Sequence, residues 1–283
     1  METAQTIVEC GQGRTVVIGN VDTGKTGFCT VLANIALNSG VKVGILDADL
    51  GQSDIGPPGT IGFGRAGNRI FGLSDVTQDR LYFVGYISPA LVVNKALSGM
   101  RKLLERTKSV DVLIINTDGW VLGDQAIVYK KSLIDLIEPN FVVGIGEKSE
   151  TEPILELVKQ TSFQIQSPKM VLRRTREQRK ELRELMYRKY LNRSVVVKVD
   201  ALRSKVSFST GQVLRPEHLD LSLTKSLLGM LDDDGWLLGI GVLSGINRQD
   251  QSLRITTPVT TFSEIEIGAV KLDEHGTELS YLE

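Results

Sequence analysis

The sequence predicts an α/β protein, a doubly wound parallel sheet followed by a smaller C-terminal antiparallel β domain, on three observations. Short continuous apolar runs alternate with helix-length segments through the first two-thirds of the chain, the mark of parallel strands buried on both faces. The octapeptide Gly19–Thr26 matches GxxxxGK[ST] where a strand gives way to a helix, so the sheet is of the P-loop NTPase type. Beyond about Arg193 the pattern changes to short strands separated by turns such as Asp234-Gly235, Asn247–Asp250 and His275-Gly276. The expected domains are therefore 1–193 and 194–283.

Arg14–Ile18 reads as the first strand and Thr26–Asn38 as a helix ended by Ser39-Gly40. Val41–Leu46 is the second strand and Leu81–Val84 a third. Ala90–Thr107 reads as a helix with Leu97, Met100, Leu103 and Leu104 on one side. Val110–Asn116 is the most strand-like run, and Gln125–Ile137 is a helix stopped by Pro139. Phe141–Ile145 is the next strand and Glu152–Gln160 another helix. Strands are then expected at Val195–Val199, Val206–Ser209, Leu227–Leu231, Trp236–Leu243, Leu253–Thr256 and Ile265–Leu272.

Composition excludes several classes. In 283 residues, 41% are hydrophobic and 24% charged, which suits a globular chain and not a disordered, collagenous or coiled-coil one. No apolar run approaches the roughly 18–20 residues that span a bilayer, so no membrane partner is expected. The N-terminal METAQTIVECGQGR lacks the build of a secretory signal, which makes a cytoplasmic location the expectation, or a nuclear one in a eukaryote. Cys10 and Cys29 make neither a disulfide framework nor a metal site. His218 and His275 fall outside every motif.

Gly19, Asn20, Val21, Asp22, Thr23, Gly24, Lys25, Thr26 and the adjacent Gly27 form the expected nucleotide cradle. Successive N–H groups and the helix N-terminus point at phosphate oxygens, Lys25 reaches the β- and γ-phosphates, and the Thr26 hydroxyl holds Mg²⁺. A purine nucleoside triphosphate is the expected ligand. The second strand runs into Asp47-Ala48-Asp49-Leu50-Gly51-Gln52, placing two carboxylates where side chains reach the nucleotide crevice. Either acid is a candidate for the metal shell or for general base, and Asp118 at the end of Val110–Asn116 competes for the metal. Trp120 is a candidate for stacking on a base or ribose.

The charges, 33 basic against 34 acidic, balance to -1 only as an average. Between Lys169 and Arg193 there are ten basic residues and three acidic ones, so this segment carries +7 and the rest of the chain -8. Seven of the ten are Arg, which suits phosphate work. Arg176, Arg179, Lys180 and Arg183 share one helix face, while Leu182, Leu185 and Met186 are the expected anchors of that helix. So local a footprint predicts a shallow salt dependence of nucleic-acid binding.

Four ordered features together resemble the polynucleotide 5′-hydroxyl kinase family, which includes the kinase subunit of the messenger-RNA cleavage factor, the ribosomal-RNA processing kinases and their archaeal relatives. They are the loop with Asp22 two residues before Gly24, the run Asp47–Gln52 with Pro58-Gly59-Thr60-Ile61-Gly62 beyond it, the T-x-G-W element Thr117–Trp120, and the Arg-rich segment of 169–193. The C-terminal strands look like the small β domain that comes after the kinase core in that family. Its members commonly carry another β domain ahead of the phosphate loop, whereas the first strand here starts at Arg14.

The resemblance implies transfer of the γ-phosphate of ATP, with Mg²⁺, to the 5′-hydroxyl of RNA or DNA in RNA processing, alongside RNA-processing protein partners. It implies Lys25 and Thr26 on phosphate and metal, Asp47 or Asp49 as general base, and Gln52 assisting the metal shell beside Asp49. Pro58, Gly59, Thr60 and Trp120 would receive the nucleic acid, and Arg176, Arg179 and Arg183 would form the lid over the transferring phosphoryl group.

Two alternatives differ in class. An ATP-holding scaffold of an RNA-processing assembly would need no turnover, yet every catalytic position is present. A switch GTPase would need N-K-x-D after Phe141–Ile145, where this chain has Gly146-Glu147-Lys148-Ser149.

Overall fold

A computed structural model describes residues 1–201, 204–215 and 220–281, so His218 lies outside the described residues. The first sheet has the strand order β4-β3-β2-β5-β1-β6-β7. Its parallel part is β2 (Val43–Ala48), β5 (Val112–Thr117), β1 (Gly13–Ile18), β6 (Phe141–Ile145) and β7 (Thr161–Ile165). Connections run through α2 (Lys25–Asn38), α3 (Val93–Leu104), α4 (Asp124–Ile137) and α5 (Lys148–Leu155). Val17, Ile45, Ile114 and Val143 join one apolar core with Leu32, Ala33 and Ala36 of α2 and with Ala4 and Ile7 of α1 (Glu2–Glu9). The alternating residues Val16, Ile18, Leu46, Ile115 and Val142 are just as buried. Because side chains on a strand alternate between faces, both faces of the sheet are covered.

The parallel strands β2, β5, β1 and β6 match the sequence pattern; β7 at one edge of the sheet falls outside it, and the other edge differs as well. The expected third strand at Leu81–Val84 is the end of β4 (Thr77–Phe83), and β3 (Thr60–Ala66) pairs antiparallel with β2, from Val43↔Ala66 to Asp47↔Gly62. The β3 run TIGFGRA has glycines at alternate positions, which hides a strand. The helix expected over Glu152–Gln160 lies earlier, at Lys148–Leu155, with Pro153 inside it, and β7 begins six residues after that helix ends. No helix among the described residues is long and apolar enough to cross a membrane. Cys10 is exposed and Cys29 buried, both as free thiols.

Contacts divide the chain into two units. The first comprises Met1–Gly56, Ile61–Arg80 and Ser88–Thr175. The second comprises Pro57–Thr60, Leu81–Ile87 and Arg176–Glu283. Its sheet has the order β14-β13-β10-β11-β12-β8, with β9 pairing β13. The strands are β8 (Val195–Asp200), β9 (Lys205–Phe208), β10 (Ser226–Leu231), β11 (Leu237–Asn247), β12 (Ser252–Thr257), β13 (Glu264–Leu272) and β14 (Glu278–Tyr281). All these pairings are antiparallel except β9 with β13.

The basic helix, α6 (Arg176–Tyr190), packs within this second unit. Tyr187 is fully buried, in a core with Leu191, Leu227, Val242, Val270, Leu81 and Phe83. Leu182 and Leu185, expected as anchors, are 37% and 57% exposed. The inward face runs instead through Arg183, Tyr187 and Leu191, four residues apart, because the Arg183 guanidinium forks onto Glu278 with Nε–Oε2 2.7 Å and NH2–Oε1 2.9 Å. The Tyr281 hydroxyl donates to the same Glu278 carboxylate.

Candidate active site

Every sequence-predicted nucleotide-cradle residue sits in the turn between β1 and α2 or in the first turn of that helix. Gly24 has φ 100°, a left-handed conformation that lets the turn reverse into the helix. Asp22 also has a positive φ, 53°, which Asp tolerates better than most side chains. Lys25 opens α2 and is buried; its Nζ donates to the carbonyls of Gly19 at 3.0 Å and Asn20 at 2.8 Å, so the ammonium spans the loop. Glu150 accepts from Asn20 Nδ2 at 2.8 Å, placing the segment after β6 against the loop, at the position where guanine-reading residues would stand.

The two acids at the end of β2 do different work. Asp47 is fully buried and takes four N–H groups: Asn116 Nδ2 at 3.0 Å and the amide of Asp49 at 3.2 Å on Oδ1, and the amides of Asp54 at 2.6 Å and Ile55 at 3.2 Å on Oδ2. That makes it the hub which shapes residues 49–55. Burial, then the neighbouring Asp54 and Asp49 carboxylates, push Asp47 up to about 7. Asp54 is raised to about 6, by burial and then by Asp49, with Arg174 opposing.

Asp49 receives the amides of Gly51 at 3.1 Å and Gln52 at 3.0 Å on Oδ1 alone, and its Oδ2 accepts no hydrogen bond among the described residues. Burial raises its pKa, opposed by the attraction of Lys25 and reinforced by Asp118. Asp49 is thus the acid that shares a field with the phosphate-loop lysine. Gln52 lies in the same turn, with Nε2 donating to Gly51 O at 2.9 Å.

Asp118, the rival for the metal, is engaged elsewhere. Its Oδ2 and its carbonyl each accept Lys130 Nζ at 2.9 Å, and its Oδ1 accepts the Trp120 amide at 2.9 Å. Trp120 stacks on Tyr129 with centroids 5.6 Å apart and planes at 26°. Between Asp118 and Trp120, Gly119 is pressed onto the phosphate loop: a Cβ there would stand 2.7 Å from the Val21 nitrogen and 3.0 Å from its Cα. The glycine of T-x-G-W is a close-approach residue.

Pro58, Gly59 and Thr60 belong to the second unit and are buried. Thr60 Oγ1 donates to Pro57 O at 2.7 Å, and Gly59 O accepts the amides of Val84 and Gly85 at 2.9 Å each. Arg176 lies exposed at the start of α6, Arg179 is partly buried, and Arg183 is committed to Glu278. The structure brings together Lys25, Thr26, Asp49 and Trp120 in the first unit, while Arg176, Arg179 and Arg183 belong to the second.

Sequence reasoning missed Lys130, Tyr129, Asn116 and Asp54. Lys130 had a readable signal: it occupies the apolar stripe of α4 defined by Ala126, Leu133, Ile134 and Ile137. Asn116 and Asp54 had none, since what matters is their placement beside Asp47.

The family described as mRNA cleavage and polyadenylation factor CLP1 P-loop matches residues 19–193. The chain belongs to the CLP1 P-loop family. That match spans the phosphate loop, the Asp47–Gln52 run, the T-x-G-W element and α6. A polyribonucleotide 5′-hydroxyl-kinase of Pyrococcus abyssi is 28% identical, with 95% of this chain and 90% of that protein covered. One of Methanocaldococcus jannaschii is 25% identical over 95% of this chain and 89% of its own. The solved structure of a Clp1p–Pcf11p complex superposes with a TM-score of 0.71 at 14% identity, covering all of this chain and 79% of the matched chain, a likeness of fold.

Proposed function

We propose that this CLP1-family protein is an ATP-dependent polynucleotide 5′-hydroxyl kinase, a phosphotransferase acting on RNA or DNA ends in RNA processing. The observation that carries the reading is the division of labour at the end of β2. Asp47 is locked by four N–H donors, whereas Asp49 keeps one carboxylate oxygen available and lies in the field of Lys25. A carboxylate next to a phosphate-loop lysine fits proton removal from an attacking hydroxyl. The curated relatives support the substrate class by their names.

The residues divide the reaction between them. Backbone N–H groups of the phosphate loop and Lys25 hold the β- and γ-phosphates. The 5′-oxygen forms a bond to the γ-phosphorus as the bond to the β–γ bridging oxygen breaks; ADP leaves with that electron pair, and the hydroxyl proton passes to Asp49. Arg176 and Arg179 supply lid charge to the three equatorial oxygens. Arg183 acts by anchoring α6, and Pro58–Thr60 act through the turn they hold. Trp120 stacks on the base next to the 5′ end.

The donor set at the head of α2 and the end of β2 fits magnesium: the Thr26 hydroxyl would be a hard oxygen ligand beside a phosphate cradle. Asp49, with Gln52 in the same turn, would hold the ion's shell through water, which leaves the carboxylate able to take the proton. When bound, Mg²⁺ supplies neutralisation of charge developing on the β- and γ-phosphate oxygens.

The direct test incubates the protein with γ-labelled ATP and a 5′-hydroxyl oligonucleotide. Label transfer that is lost in Lys25→Ala and in Asp49→Asn is the expected result. Absence of transfer under conditions where ATP binds would overturn the kinase assignment.

A further inference from the structure

Lys130 is a fully buried ammonium with no part in the phosphoryl-transfer steps. Desolvating a lysine and a carboxylate costs several kcal/mol per ion, and an apolar residue of similar volume generally packs as well or better. The Lys130–Asp118 pair, with side chains 0% and 5% exposed, is therefore poorly explained as a stabilising element. What it does geometrically is specific. Lys130 Nζ grips both the carbonyl and the carboxylate of Asp118, and the other carboxylate oxygen of Asp118 takes the Trp120 amide. The same Nζ stands 5.2 Å from the centroid of the Tyr129 ring, on which the half-buried Trp120 indole is stacked. One side of Trp120 is thus backed by an aromatic ring and its main chain is tied down, while Gly119 sets the whole segment against the phosphate loop at Val21.

We propose that Tyr129 and Lys130 are positioning residues that fix Trp120 as a preformed stacking platform for a nucleobase, held at a set distance from the phosphate loop. Tyr129 backs the indole; Lys130, through Asp118, holds the backbone that carries it. The pair also removes Asp118 from the metal shell, leaving Asp49 as the carboxylate for that role. This rests on the reading that Trp120 receives the nucleic acid, and it extends that reading to side chains that touch neither substrate.

The chain has two tryptophans, so a Trp236→Phe background makes Trp120 the sole indole reporter. In this chain, quenching by a 5′-hydroxyl oligonucleotide and the KM values for oligonucleotide and ATP are measured for three variants. Tyr129→Leu removes the backing ring; the expected result is an oligonucleotide KM about tenfold higher, the order of one base stack, with the KM for ATP unchanged. Tyr129→Phe keeps the ring and should restore the wild-type value. Lys130→Met/Asp118→Asn removes both charges at once, so no buried ion is stranded; it should raise the oligonucleotide KM and reduce the quenching amplitude. Unchanged oligonucleotide KM in folded Tyr129→Leu, or a parallel rise for ATP, overturns the proposal. Should Tyr129→Leu fail to fold, an unchanged oligonucleotide KM in the double variant does the same. Quenching of Trp120 without phosphate transfer in the parent would instead remove the kinase reading and leave the platform standing.

Discussion

Asp22, in the middle of the phosphate loop, accepts the main-chain N–H of Arg174 at 2.9 Å, and its other carboxylate oxygen lies 3.7 Å from the Arg174 guanidinium. Pro168 and Val171 of the same stretch close over Gly24, each 3.4 Å from where a Cβ would stand. The segment ahead of the basic helix is therefore fastened to the loop that holds phosphate. Asn keeps the left-handed backbone of Asp22 but carries no charge. Arg174 is half exposed, so the ion pair contributes only about 0.5–1 kcal/mol. Asp22→Asn should lower kcat by about two- to fivefold with the KM for ATP little changed, by steady-state kinetics. A wild-type kcat would show that the fastening has no part in turnover.

Gly119 offers a sharper lesion. An added methyl would meet the Val21 backbone, which has no side-chain rotation with which to yield. Overpacking of this kind costs about 1–3 kcal/mol, so Gly119→Ala should weaken ATP binding by about tenfold or more in calorimetry. Wild-type affinity would mean that the loop relaxes without losing its cradle.

The arginines of α6 should separate by assay. Arg183 and Glu278 have side chains 11% and 5% exposed, and breaking so buried a pair costs about 3–5 kcal/mol. Arg183→Met should lower the denaturation midpoint strongly. Arg179→Ala should leave that midpoint nearly unchanged and lower kcat more than ATP affinity. The reverse pattern would return Arg183 to the lid.

Acidity at the β2 end gives a signed expectation. Asp54 has a folded pKa of about 6 against an ordinary 3.8, and Asp47 about 7, so the folded state holds these protons more tightly than the unfolded chain does. Their ionisation therefore costs stability as pH rises from about 4 to about 7. Asp54→Asn removes one titration and relieves the other. Its melting temperature relative to wild type should climb across that window and level off above it. A constant difference would contradict the raised values.

The phosphate loop, the parallel strands other than β7 and the C-terminal strands other than β14 are legible in the sequence because each is written in neighbouring residues. Gly24, Lys25 and Thr26 announce their chemistry by spacing alone. Asp47 and Asp49 cannot be told apart on paper, since the difference is made by Asn116 and the amides of Asp54 and Ile55 folding back onto one of them. The inward face of α6 is hidden for the same reason: Glu278, 95 residues further on, decides it. The polar start of β4 and the alternate glycines of β3 conceal the sheet edge.

The second unit borrows Pro57–Thr60 and Leu81–Ile87 from deep inside the sequence of the first, and Leu81 and Phe83 are bricks of its core beside Tyr187 and Val270. It is thus no detachable cassette. A fragment starting at Arg176 or Ser194 would lack those two apolar residues and should come out of cells aggregated, however cleanly the cut falls between elements. On the ribosome, the borrowed segments emerge long before β13 (Glu264–Leu272) exists to receive them, so this core closes only once that strand has been made.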